Sequence, residues 1–144
     1  MVAAAVTAGI CLAAGALWVA SVTAPAAAFS PVDAYERSRQ GQLVLVDVRT
    51  SAEWRETGIP VGALTIALLT DGGIPNIGFV DGVKDALGGR LDTPIAVICA
   101  RGIRSSIAAR LLRASGFSDV HDVSEGVIGW IALNLPLEAR FTLP

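Results

Sequence analysis

The stretch that decides the fold is Ile95-Ala96-Val97-Ile98-Cys99-Ala100-Arg101-Gly102-Ile103-Arg104-Ser105-Ser106-Ile107-Ala108-Ala109-Arg110-Leu111-Leu112-Arg113. Its first part is an unbroken apolar run after Pro94, the pattern of a strand buried on both faces. Its last part is rich in Ala, Leu and Arg and predicts a helix whose apolar face carries Ile107, Leu111 and Leu112. Between them a tight loop holds Cys99 at the strand end and two arginines. A helix N-terminus offers unpaired N–H groups and about half a positive charge. Successive loop amides form an anion-binding concavity, and Arg101 and Arg104 add full charges. All three favour thiolate over thiol, and the thiolate is the nucleophile. Gly102 permits backbone angles closed to other residues. The loop is suited to present a reactive sulfur with an anion held beside it. A buried, inert cysteine at the end of a core strand is the plainer alternative.

Working outward, Ser30-Pro31-Val32-Asp33 reads as an N-cap, a proline in the first turn and an acidic start, so a helix should follow, with Ala34 and Tyr35 inward, ending near Gly41. Leu43 to Asp47 predicts a central strand. Thr50 or Ser51 caps a short helix over Glu53 to Glu56, with Trp54 half-buried, and Gly58 and Pro60 break it. Leu64 to Ala67 predicts another strand, Leu68 to Ile77 an irregular loop, and Phe79 to Leu87 a helix stopped by Gly88-Gly89. After the central stretch, Val120 to Val123 predicts a short strand and Gly126 to Leu133 a last helix. Strands alternating with helices imply an α/β domain: a central parallel sheet with right-handed crossovers and helices on both faces. Ligands then bind beyond the carboxyl ends of the strands, where Cys99 lies.

These residues resemble the rhodanese (sulfurtransferase) family. Cys99-x-x-Gly102-x-Arg104-Ser105 resembles its active-site loop. Asp47-Val48-Arg49 followed by Glu53 resembles its Asp-Val-Arg then Glu pattern. Ile59-Pro60-Val61-Gly62-Ala63 resembles its Ile-Pro-Gly-Ala segment, with one residue inserted and without the frequent histidine before it, and Gly126 to Trp130 its closing Gly-Trp element. The resemblance implies a single rhodanese-like domain over residues 31–138. It implies that Cys99 is catalytic, that Ala100, Arg101, Gly102, Ile103, Arg104 and Ser105 bind substrate, and that Asp47, Arg49 and Glu53 support the site. Asp47 and Arg49 flank a strand end, where they either form an ion pair fixing the next loop or line the site, with Glu53 in the same network. His121, the sole histidine, falls after the loop helix and is not assigned as a base, since the family needs none.

The loop length separates chemistries. Cysteine phosphatases and arsenate reductases resemble a Cys-x5-Arg pattern with a larger cradle, whereas here only four residues separate Cys99 from Arg104. The tighter ring suits a sulfur atom carried on Cys99. The implied reaction moves sulfane sulfur from thiosulfate or a related anionic donor to a thiophilic acceptor, a thiol or a partner protein, through a Cys99 persulfide and without a cofactor. A non-catalytic binding or sulfur-carrier module is the alternative.

The chain has 144 residues, enough for one domain, and a net charge of −2, which gives no nucleic-acid footprint. No group of His, Cys and carboxylates has metal-ligand spacing. The run Val2 to Val22 is uncharged and apolar and leads to Ala26-Ala27-Ala28, a small-x-small pattern. It predicts that residues 1–28 are a signal peptide cleaved after Ala28 or, because no basic residue precedes the run, an uncleaved membrane anchor. Either places the domain outside the cytoplasm, periplasmic or extracellular, and touching a membrane only through that segment. Of the two cysteines, Cys11 lies in this segment, so cleavage leaves Cys99 alone and no disulfide framework.

Overall fold

The computed structural model describes residues 27–139; most of the predicted signal segment, with Cys11, lies outside the described residues. The elements are α1 (Pro31–Arg39), β1 (Val44–Asp47), α2 (Ser51–Thr57), β2 (Ile59–Pro60), β3 (Leu64–Thr65), α3 (Phe79–Ala86), β4 (Ile95–Ile98), α4 (Ile103–Ala114), β5 (Val120–Asp122), α5 (Gly126–Ala132) and β6 (Leu137–Glu138). Four strands form a parallel sheet in the order β3-β1-β4-β5, so β1 and β4 are central, with Val46 opposite Val97 and Ala96 opposite His121. The predicted α/β architecture holds.

Period-two alternation divides the core into two layers. Val46 and Val48 of the first strand segment and Ile95, Val97 and Cys99 of the second face α3 and α4, meeting Phe79, Val83, Ala108, Ala109 and Leu112. Leu45, Ala96 and Ile98 face the other way and pack with Ala34 of α1 and Val127 and Trp130 of α5. Tyr35 meets Trp130 edge-on, and the indole N–H of Trp130 donates to the Pro136 carbonyl at 3.0 Å. Each fully buried side chain of this size contributes roughly 1.5–3 kcal/mol.

The structure departs from the sequence pattern in four places. Ile107 and Leu111 do not lie on the buried face of α4; they are 39% and 43% exposed, and Ser105, Ala108, Ala109 and Leu112 face the sheet instead. Small residues let the helix approach the sheet closely, which turns the bulkier pair outward. Trp54 is buried rather than half-buried. The strand expected over Leu64 to Ala67 is only two residues long. An antiparallel pair, β2 with β6, joins Ile59 to Glu138 and Pro60 to Leu137 and has no counterpart in the periodicity. Phe29 bridges Val123 and lies stacked on His121, with ring centroids 4.2 Å apart, which ties the segment ahead of α1 to the end of β5.

Candidate active site

Cys99 follows the last residue of β4, and Gly102 caps α4 with φ +94°, a left-handed conformation that costs glycine least. The turn brings the Gly102 N–H back onto the sulfur, donating to Cys99 Sγ at 3.1 Å. Ser105, buried on the first turn of α4, places its hydroxyl 3.6 Å from the same sulfur and donates to the Gly102 carbonyl at 2.9 Å. The thiol is thus met by one backbone donor, one hydroxyl and a helix N-terminus, and is itself 1% exposed. Ala100 is half-buried, while the side chains of Arg101 and Ile103 point to solvent.

The loop is held from behind by a segment whose role the local pattern does not reveal. Glu125 and Gly126 are both left-handed, with φ of 60° and 57°. They turn the chain so that Val127 N–H donates to the Cys99 carbonyl at 2.8 Å and Ile128 N–H to the Ala100 carbonyl at 3.2 Å. A Cβ at Gly126 would overlap both carbonyl oxygens, so only glycine allows this approach. With the Cys99 and Ala100 carbonyls bound from outside, the start of the loop is fixed where the Gly102 N–H reaches the sulfur.

Arg104, predicted to bind substrate, is engaged by Glu53. Its Nη1 and Nη2 donate to the two carboxylate oxygens at 2.7 and 2.6 Å, a bidentate pair. Glu53 also completes a capping box: its Oε2 accepts from Thr50 N–H at 2.9 Å, and Thr50 Oγ1 accepts from Glu53 N–H. The pair therefore ties α2 to the start of α4. The hydrogen bond from Arg104 holds the Glu53 carboxyl at about 2, with the Thr50 N–H helping and burial opposing. The same bond raises the Arg104 guanidinium. Arg104 still adds positive charge near the loop, but its position is set by Glu53.

Asp47 and Arg49 are fully buried, at 0% and 2% exposure. Arg49 Nε and Nη2 donate to the Asp47 carboxylate at 2.7–3.0 Å, Nη1 to Thr57 Oγ1 at 2.6 Å and Nη2 to the Gly58 carbonyl at 2.7 Å. All three guanidinium nitrogens are thus bonded to the protein, which puts the pair in the role of fixing the chain after β1. His121 has both ring nitrogens engaged away from the thiol, with Ala27 O at 3.0 Å and Asp119 Oδ1 at 2.8 Å.

The rhodanese-like domain family model matches residues 30–133. The chain belongs to the rhodanese-like domain family. This sulfurtransferase-type domain is 33% identical over 105 residues to the Rickettsia prowazekii protein RP600, a match covering 64% of this chain and 80% of that one. Among solved structures it resembles Rv0390 from M. tuberculosis, with a TM-score of 0.68 and 28% identity over 81% of this chain and 99% of that chain. It also resembles the polysulfide-sulfur transferase homodimer from Wolinella succinogenes, with a TM-score of 0.58 and 25% identity over 79% of each chain. In this rhodanese-like domain Cys99 lies within the matched range, and four residues separate it from Arg104.

The tie between Glu53 and Arg104 has a pH signature. A carboxyl held at about 2 when folded, against 4.5 ordinarily, contributes stability that is complete above pH 4.5 and is lost as pH falls toward 2. Glu53→Gln keeps an acceptor for Thr50 N–H and removes the charge. It should lower unfolding free energy by about 1–2 kcal/mol at neutral pH, since the pair is partly exposed. Urea melts of both proteins should show that difference constant above pH 4.5 and shrinking below it. A difference that does not change with pH would assign the loss to packing.

Proposed function

We propose that this domain is a sulfurtransferase that carries sulfane sulfur as a persulfide on Cys99. The observation that supports this best is the sulfur's setting: Cys99 Sγ accepts the Gly102 N–H at 3.1 Å inside a ring of only four residues between Cys99 and Arg104. That spacing is one residue shorter than the Cys-x5-Arg cradle of the cysteine phosphatases, which favours a single sulfur carried on Cys99 over a phosphoryl group. In the first half-reaction the Cys99 thiolate attacks the outer sulfur of thiosulfate; the S–S bond of the donor breaks and sulfite leaves with the electron pair. In the second, a thiophile attacks the outer sulfur of the persulfide and the electron pair returns to Sγ. Loop amides and the N-terminus of α4 stabilise the anion at each stage. Arg101, exposed at the rim, draws in an anionic donor, with Arg104 adding to the field from its place beside Glu53. Resemblance to a polysulfide-sulfur transferase supports sulfane donors as the substrate class.

Mass spectrometry tests this. Protein incubated with thiosulfate or polysulfide should gain one sulfur atom, and cyanide should remove it as thiocyanate. No uptake from thiosulfate, polysulfide or another persulfide would favour a binding module. Cys99-dependent hydrolysis of an aryl phosphate would favour phosphatase chemistry.

A further inference from the structure

Ser105 has two acceptors within reach of a single hydroxyl hydrogen: the Gly102 carbonyl at 2.9 Å and Cys99 Sγ at 3.6 Å. Its side chain is buried, so no bulk water competes for that hydrogen. When Cys99 is a neutral thiol the arrangement is complete. The S–H donates to Ser105 Oγ, and the hydroxyl donates to the Gly102 carbonyl. When the sulfur carries a negative charge it can only accept, and the same hydroxyl is the nearest side-chain donor. The Gly102 carbonyl can release the hydrogen without being left unpaired, because it also accepts the Ser106 N–H at 3.1 Å. The switch therefore requires only rotation of one hydroxyl.

We propose that Ser105 is a catalytic residue that turns its hydroxyl from the Gly102 carbonyl to Cys99 Sγ whenever that sulfur becomes anionic. This rests on the persulfide reading and assigns the hydroxyl to one half-reaction. In sulfur discharge the acceptor forms a bond to the outer sulfur, the S–S bond breaks, and the electron pair stays on Sγ. No proton moves; Ser105 donates a hydrogen bond to the departing thiolate. In sulfur loading the thiolate is the starting state, so the bond is already made before the attack and offers no stabilisation special to the transition state. Ser105 should therefore assist discharge and hardly affect loading.

Ser105→Ala preserves the helix and the small volume facing the sheet, and the Gly102 carbonyl keeps its bond from Ser106. Protein loaded with thiosulfate, freed of donor and mixed with cyanide is followed by mass spectrometry for loss of the added sulfur. Discharge in Ser105→Ala should slow about tenfold or more, the effect of one hydrogen bond to a charged group. Loading should stay within about threefold of wild type. Ser105→Thr, which restores the hydroxyl, should recover most of the discharge rate. Equal slowing of both half-reactions would make Ser105 a packing residue, and wild-type discharge in Ser105→Ala would remove the switch. Wild-type protein that loads no sulfur at all defeats the persulfide reading instead, so the two failures are distinguishable.

Discussion

Cys99→Ser should abolish sulfur uptake while leaving the fold in place. The substitution loses little volume at a site that is 1% exposed, and the serine hydroxyl inherits the Gly102 N–H and the neighbouring Ser105 hydroxyl as partners. No buried polar atom is orphaned, so stability should change by no more than about 1–2 kcal/mol. Reactivity should fall far more. A serine hydroxyl is a far weaker nucleophile than a thiolate, and among the described residues the one histidine cannot activate it: both ring nitrogens of His121 are engaged by Ala27 and Asp119. Turnover of thiosulfate with cyanide should drop by at least roughly a thousandfold, as expected for loss of a nucleophile. The added sulfur mass should disappear, with the thermal transition lowered by no more than about 8 °C. Cys99 is the free cysteine among the described residues, and the sequence holds one other, Cys11. Sulfur uptake that survives in Cys99→Ser and vanishes in Cys11→Ser would move the carrier to Cys11 and overturn the assignment.

The parts of this site that were legible in the sequence are those whose causes are local. Ser30-Pro31 and the Thr50–Glu53 spacing announce the starts of α1 and α2 because capping acts over three residues. The uninterrupted Ile95–Ile98 run announces a strand covered on both faces, and Cys99, Gly102 and Arg104 follow within one turn. The features that were not legible depend on chain distant in sequence. Arg104 meets a carboxylate 51 positions away, and nothing in its own helix indicates that Glu53 claims both of its terminal nitrogens. Gly126 is visible as a family-like element, but its contact with the carbonyls of Cys99 and Ala100 exists only once β5 and α5 have formed. The buried face of α4 departs from the hydropathy pattern for a related reason. Hydropathy favours Ile107 and Leu111, whereas the sheet selects the side chains small enough for close approach, Ala108 and Ala109. Two-residue strands such as β2 and β6 carry no periodicity from which to infer their pairing.

Arg49→Met should be the most destabilising of the substitutions considered, and its effect should reach the site only through the fold. Asp47 is fully buried, and Arg49 supplies its charge partner through Nε and Nη2 as well as its own backbone N–H. Methionine fills much of the space but leaves the Asp47 carboxylate uncompensated in the interior, and the half-buried Gly58 carbonyl loses its Arg49 donor. Removing one partner of a buried pair costs about 3–5 kcal/mol, a large fraction of a single domain's stability. For a domain of this size that corresponds to a fall in Tm on the order of 15 °C. Asp47→Asn combined with Arg49→Met removes the stranded charge and should recover part of the loss, because the penalty lies in the unpaired carboxylate more than in the absent attraction. Calorimetry on the two single variants and the double variant measures this coupling directly. Additive losses would show that the pair acts through packing alone. Since all three guanidinium nitrogens of Arg49 are bonded to the protein, the fraction of Arg49→Met that remains folded should load sulfur from thiosulfate with near-normal affinity. A folded variant that had lost donor affinity would instead place Arg49 in the binding site.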